Sequence, residues 1–338
     1  MDKYITIVPK SRGLFAERLN ELSKEVENFM KSEAAEGRQL QYAKIFLSDI
    51  INQEPELRAS KLFTTWLADT ASTVIEQAPA DASKITLLLK TTDRQTSFIF
   101  DSLRLSADEV AGLDSYQQTT LIFEKYIRMT EGRGLEFATH LVRTWIYVSD
   151  IDVNYAGVVR ARNDVFAQHG LTPDTHFIAS TGIGGSTSVV GAKVAIDFLS
   201  FPKATPADMF FLKAPDHLNP THEYGVAFER GTRVQNGDTQ QFYISGTASI
   251  DSRGNVMHVG NVTKQTDRLL ENIAALLANG GSKMDDIKYF IAYLRDAADY
   301  DVVNNILVQR FPNTSRVLVH AKVCRPAWLV EMECIAQR

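Results

Sequence analysis

From Lys84 onward the apolar positions fall into short runs that switch between two periods. ITLLLKTT, rich in leucine and β-branched residues, predicts a strand, and SFIFDSL predicts its hairpin partner across DRQT. Between Ser115 and Thr130 the apolar residues recur at helical spacing, and Gly132 and Gly134 follow as a stop. THLVRTWIYVSD then reads as a strand and VNYAGVVRARNDVFAQHG as a helix ended by Gly170. THFIASTGIGG and SVVGAKVAIDFLSF read as two further strands around a glycine-rich turn.

The same order then recurs. QQFYISGTASI predicts a strand, followed by the polar turn DSRGN. VTKQTDRLLENIAALLANGG predicts a helix with Leu269, Ile273, Leu276 and Leu277 on its apolar face and Gly280 and Gly281 at its end. DIKYFIAYLRD reads as a strand, DYDVVNNILVQRF as a helix, and SRVLVHAKV and AWLVEMECIA as a closing pair of strands. A proline-rich connection, 201–220, separates the copies. The repeat predicts an α+β protein with two similar domains in tandem, over 61–205 and 206–338, each a mixed sheet packed on two helices. Residues 1–60 are rich in Glu, Lys and Ala, with Phe15, Leu19 and Leu22 at helical spacing, and predict a helical or partly irregular extension.

Composition narrows the function classes. Of 338 residues, 44% are hydrophobic and 23% charged, a balance that builds a sizeable core. No apolar run reaches membrane-spanning length and MDKYITIVPKSRGLF lacks a signal-peptide core, so neither a span nor a leader is expected. Two cysteines, Cys324 and Cys334, are too few for a disulfide framework and fit a reducing cytoplasm. A net charge of −5 without basic runs argues against nucleic acid, and an anionic substrate therefore requires a locally basic pocket. The seven histidines lack ligand spacing, so no metal is expected. GIGG at 182–185 precedes a strand and lacks the full dinucleotide fingerprint, so it reads as a tight turn. Ser245 has no triad context.

Strand parity points to the chain's end. In SRVLVHAKV, Val317, Val319, Ala321 and Val323 share one face, while Arg316, Leu318, His320 and Lys322 share the other, with Cys324 in the same parity. In AWLVEMECIA, Trp328, Val330, Met332 and Cys334 oppose Glu331 and Glu333. If the two strands form a hairpin, cations, a thiol and carboxylates gather on one side. The same pattern also describes a solvated sheet face with ion pairs.

The second copy resembles the YjgF/RidA family of small trimeric α+β proteins through Tyr224 in HEYG, Ser245 and Gly246 in YISGTA, Arg316 in NTSRVLV and Glu331 in LVEMECIA. The whole chain is similar to the chorismatase family, built from two such domains, through RTWIYV (143–148), ASTGIGG (179–185), SGTASI (245–250) and the Cys324–Glu331 spacing. The first copy has Ser180 and Ala195 where the second has Arg316 and Glu331, which confines the chemistry to the second copy. The resemblance implies cleavage of the enolpyruvyl ether of chorismate with release of pyruvate, Glu331 acting as general acid. It implies Cys324 as a second catalytic residue and a pointer to 3-hydroxybenzoate rather than a dihydroxycyclohexadiene carboxylate. Because chorismate carries two carboxylates, it calls for guanidinium partners. Arg316 is the first candidate, with Arg230, Arg143 and Arg162 as further cations and Tyr224, Gly246 and Ala248 as substrate-binding neighbours. No cofactor is implied, and the assembly is expected to be a cytoplasmic homotrimer. Two other readings are a RidA-type imine or enamine deaminase and a non-catalytic binder of small carboxylates.

Overall fold

The computed structural model describes residues 2–93 and 98–338. Three consecutive segments lay down one order: strand, helix, strand, helix, strand, strand. The first comprises β1 (Lys3–Ile7), α1 (Phe15–Ala35), β2 (Gln39–Leu47), α2 (Ile50–Ala59), β3 (Ala71–Glu76), the two-residue β4 (Ala78–Pro79) and β5 (Ile85–Thr92). The second comprises β6 (Ile99–Leu103), the short α3 (Ala107–Val110), α4 (Ser115–Glu131), the short α5 (Phe137–His140), β7 (Leu141–Val148), α6 (Ile151–Gln168), β8 (Ala179–Gly184) and β9 (Val194–Ser200). The third opens with β10 (Met209–Phe211) and β11 (Gly231–Asn236). It continues through β12 (Thr239–Ala248), α7 (Val262–Asn279), β13 (Ile287–Leu294), α8 (Tyr300–Arg310), β14 (Ser315–His320) and β15 (Val330–Gln337).

The sheets repeat one topology. Their strand orders are β1-β5-β2-β3, β6-β9-β7-β8 and, within a seven-stranded sheet, β12-β15-β13-β14. In each, the second and third strands run parallel, joined by a helix, and the last strand inserts antiparallel beside the second. The two tandem α+β units read from the sequence are therefore present, each on two helices. The helices start and stop for local reasons: Asp114 and Gln117 form a capping box at α4, and Asn261 caps α7 by accepting from Lys264 N.

Three expectations are corrected. The opening of the chain is not a helical extension but a third unit of the same topology, reaching to Thr92, because KYITI and QLQYAKIFL find their common partner in ITLLLKTT. That partner, β5, is buried at every position and flanked on both sides, so it has no edge for a hairpin with SFIFDSL; β6 pairs with β9 instead. Most of the intervening DRQT, 94–96, lies outside the described residues. Finally, the closing strands of the later units are not neighbours. The helical crossovers place β8 beside β7 and β14 beside β13, and β9 and β15 then enter on the far side.

The units close into a ring inside one chain. The third strand of each contacts the first strand of the next: β3 meets β6, β8 meets β12, and β14 meets β1. Beyond each third strand the chain reaches across and pairs with another unit, through Val319↔Pro79, Ile183↔Val323 and Glu76↔Ser186. The threefold packing expected between subunits is thus satisfied within the chain. The inner sheet faces share a cluster that includes Tyr42, Leu88, Trp145, Tyr243 and Tyr289. Among the described residues no helix is long and apolar enough to cross a membrane.

Charges are buried where the first and second units meet. Asp197 of β9 has Lys44 of β2 at 3.6 Å and Arg104 at 3.1 Å, and its carboxylate accepts from Thr73 and Tyr147 at 2.5 and 3.0 Å. Removing one member strands the rest without water. Asp197→Ala is expected to destabilise the protein by about 3–5 kcal/mol, read as a lower urea midpoint. An unchanged midpoint would show that the pair contributes nothing to ring closure.

Candidate active site

Between the second and third units lies a cleft into which β15 projects Glu331. Glu331 is paired with Ala248 on β12 and Tyr293 on β13, so its backbone is fixed from both sides. β12 breaks register between Ile244 and Thr247. The irregularity brings the Gly246 N–H to Thr181 Oγ1 at 3.0 Å. A Cβ on Gly246 would stand 1.9 Å from Glu331 Oε1, so only glycine leaves the carboxyl its place.

Glu331 is 4% exposed, and no hydrogen bond among the described residues engages its carboxyl. Burial pushes it up to about 8; the charge of Glu333 adds to the rise and Arg230 opposes it. Glu331 and Glu333 share the strand parity read from the sequence, but Glu333 points into the junction. Its Oε1 accepts from Trp145 Nε1 at 2.6 Å, and its Oε2 lies 2.8 Å from Arg143 Nη2.

Arg143 is therefore corrected as a substrate ligand. It is 0% exposed and donates from Nη1 to the Ile244 carbonyl at 2.6 Å and from Nη2 to Thr181 Oγ1 at 2.9 Å. Its guanidinium ties β7 to β8, β12 and β15, with no edge in the cleft.

Arg316 is corrected as well. β13 lies between β14 and β15, so Arg316 and Glu331 occupy different clefts with no lining residue in common. Within the Glu331 cleft the strand position equivalent to Arg316 belongs to β8 and is Ser180. His320 and Lys322 are exposed, and Lys322 pairs with Asp152 at 2.9 Å, so for them the solvated-face reading holds.

Other cations take Arg316's place. Arg230 lies in the cleft wall, its Nε and Nη2 donating to the Asn219 carbonyl at 3.3 and 2.9 Å. Arg162 arrives from α6 of the second unit, only 2% exposed, and its Nε and Nη2 have no hydrogen-bond partner. Buried N–H groups of a guanidinium are costly to leave unpaired, which makes this edge a ready donor set for an anion. Arg325 stands 5.1 Å over the Tyr224 ring and 4.9 Å over Trp328. A chain of net charge −5 thus holds the locally basic pocket that an anionic ligand requires.

Tyr224, Cys324, Gly246 and Ala248 line the cleft as the sequence reading expected. Burial raises the Cys324 thiol to about 12, with the Glu331 charge adding to the effect, so the sulfur stays protonated at neutral pH. Tyr155, Ser180 and Gly182 come from the other unit and were not named as site residues, although Ser180 and Gly182 lie in the ASTGIGG motif that carried the resemblance; nothing in the local sequence marks Tyr155. For Arg162 the signal was an arginine among Val158, Ala161, Val165 and Phe166 on a buried helix face.

Comparison with known proteins places this geometry. The sequence model of the family described as Endoribonuclease L-PSP matches residues 228–338. The 3-aminoacrylate deaminase RutC of Acinetobacter baylyi is 33% identical over 96 residues, 28% of this chain and 76% of that protein. A crystal structure of chorismatase is similar over 99% of this chain and 98% of its own, with a TM-score of 0.69 and 18% identity. The chain belongs to the L-PSP (YjgF/RidA) family through its third unit, and over its whole length it has the chorismatase fold.

Proposed function

We propose that the protein cleaves the enolpyruvyl ether of chorismate, with Glu331 as general acid. One observation carries the reading: a carboxyl held up to about 8 shares a basic cleft with Arg162, whose buried guanidinium has unpaired N–H groups. An enol ether is cleaved by protonation at carbon, which needs an acid that keeps its proton near neutrality. A dicarboxylate needs two separate cationic partners, and Arg162 and Arg230 reach the cleft from different units.

The steps balance without a cofactor. Glu331 gives its proton to the terminal methylene carbon, and the alkene π pair forms the new C–H bond. Water adds to the resulting oxocarbenium carbon and returns a proton to the Glu331 carboxylate. The hemiketal then breaks its bond to the ring oxygen, which takes a proton and leaves, and pyruvate is released. We assign Cys324, as a neutral thiol, to the ring half of the substrate, where the released dihydroxycyclohexadiene carboxylate loses one ring hydroxyl together with the hydrogen on the adjacent carbon as water, and the ring becomes aromatic as 3-hydroxybenzoate, the expected product. The cleft is nearly closed, about 70 Å³, well below the ~300–1,000 Å³ of small-molecule pockets. Binding a ligand of chorismate's size therefore requires the cleft to widen.

A second reading, imine hydrolysis, is favoured by the likeness to RutC. The separation of Arg316 from Glu331 weighs against it, since the resemblance placed both in one cleft.

Incubation with chorismate is expected to yield pyruvate and 3-hydroxybenzoate in equal amounts, and Glu331→Gln to lower kcat by about 10²–10⁴-fold with KM little changed. Folded wild-type protein that releases no pyruvate would sink this reading and turn the test to 2-iminopropionate.

The pH dependence follows from the raised acid. Turnover needs protonated Glu331, so kcat is expected to stay level below pH 8 and fall about tenfold per unit above it. Stability moves the same way. The folded state holds this proton at pH values where the unfolded chain has lost it, so stability declines as pH rises from the ordinary carboxyl range through about 8. Glu331→Gln is thus expected to raise Tm at pH 9 and leave it unchanged at pH 4. Equal Tm values at pH 9 would show a carboxyl with an ordinary pKa.

A further inference from the structure

We infer that a second pocket, behind the wall of the Glu331 cleft, binds a single-ring phenol, and that a ring seated there opposes opening of the cleft. The pocket lies between the loop 173–177 of the second unit and the segments 212–222 and 228–230 of the third. Its volume is about 170 Å³, close to the roughly 150 Å³ of a dry protein cavity that takes up one benzene ring. Phe177, Leu212, Leu218 and Phe228 supply apolar walls, a lining that suits a ring rather than a sugar or a phosphate.

One polar group decides which ring. Glu229 lines this pocket and not the cleft, its backbone held by the bridge to Ala179 and by donation to the Ile178 carbonyl at 2.8 Å. Its Oε1 accepts from Phe177 N at 3.1 Å, which leaves Oε2 without a partner among the described residues. Burial raises the carboxyl above its ordinary range, so the ionised form gains from a further donor. Among the described residues no cation lies within ion-pair distance of it. The basic side chains Lys213, His176 and His222 nevertheless line the same pocket and disfavour an ammonium, which leaves a neutral O–H as the donor. A phenol aimed at Oε2 supplies it while the ring fills the apolar space.

The coupling comes from a shared wall. Phe228 and Arg230 line both cavities, and Asn219, which lines this one, accepts on its carbonyl from Arg230 Nε at 3.3 Å and Nη2 at 2.9 Å. The Glu331 cleft must widen from about 70 Å³ to take a ligand of chorismate's size, and the pocket lies directly behind that wall. A ring that fills the pocket removes the room into which Phe228 and Arg230 retreat, so each ligand weakens the other. This coupling rests on the reading of the cleft as the chorismate site; the binding of the phenol does not.

The probes are 4-fluorophenol and 4-fluorotoluene, followed by fluorine NMR with the intact protein, Glu229→Gln, Pro215→Trp and Arg162→Gln. The wild type is expected to hold the phenol about tenfold tighter than the toluene, the effect of one hydrogen bond to a charged group. Glu229→Gln, which keeps an acceptor for Phe177 N, is expected to erase that preference while the toluene still binds. Pro215→Trp, at an exposed lining position, is expected to fill the mouth and abolish binding of both probes, and it carries the test if the first variant fails to fold. Arg162→Gln, which alters the cleft, leaves both affinities as they were. In the wild type 4-fluorophenol is expected to raise KM for chorismate, and in Glu229→Gln to need about tenfold more for the same rise, each read against that protein's own uninhibited rate. Equal affinities for the two probes in the wild type, a preference that persists in folded Glu229→Gln, unchanged binding in Pro215→Trp, or binding lost in Arg162→Gln would overturn the inference, as would a phenol that binds without raising KM. A wild-type protein that releases no pyruvate would defeat the proposed reaction, and the NMR affinities would still decide the pocket.

Discussion

Each unit places its last strand between the first and the second, which leaves the third strand as an edge. An uncovered edge of unpaired backbone donors and acceptors is a template for misassembly. The molecule covers β3, β8 and β14 with the first strand of the neighbouring unit and with the chain segments that cross between units. Everything that concerns function follows from this covering. The clefts exist because two units meet at each edge, and every candidate residue sits where one unit supplies a strand and the next supplies the wall.

The same junctions impose a low dielectric. Where a charge must be buried it is tied into a network, as Glu333 is to Trp145 and Arg143, and Asp197 is to Lys44 and Thr73. Lys44 is itself pulled down to about 8 by burial, against the raising effect of Asp197. Glu331 is left outside such a network, and the desolvation that makes the others costly turns this one carboxyl into an acid. Gly246 keeps the space in front of it clear. Arg162 and Glu331 are thus opposite expressions of one condition, a buried guanidinium with two nitrogens left unpaired and a buried carboxyl that no hydrogen bond among the described residues engages.

Much of the architecture was legible in local pattern. The helices at Ser115 and Val262 were marked by caps and apolar spacing, and most strands by short β-rich runs. Neighbour relations were not legible, because parity describes a strand's faces and not which strand lies beside it. SRVLVHAKV and AWLVEMECIA are consecutive in sequence, but β13 separates them, and that displacement moved Arg316 away from Glu331. Arg143 was misread for a related reason: an arginine in a strand looks the same whether it faces substrate or a buried glutamate. The opening residues hid their unit because β1 and β2 are completed only by β5, some forty residues beyond β2. Glu331, Cys324, Tyr224, Gly246 and Ala248 were legible because all five belong to one unit and to motifs that the resemblance carried.

Linking three copies of one topology in a single chain removes a restriction that binds any symmetric assembly of identical subunits. There, a substitution at an interface appears at every interface, so a residue that helps chemistry must also be tolerated wherever it is not wanted. Here Glu331, Thr86 and Ala195 occupy the same strand position in three separate genetic contexts. One junction can be consolidated by buried ions, another left deliberately underpacked around an acid, and neither choice constrains the other.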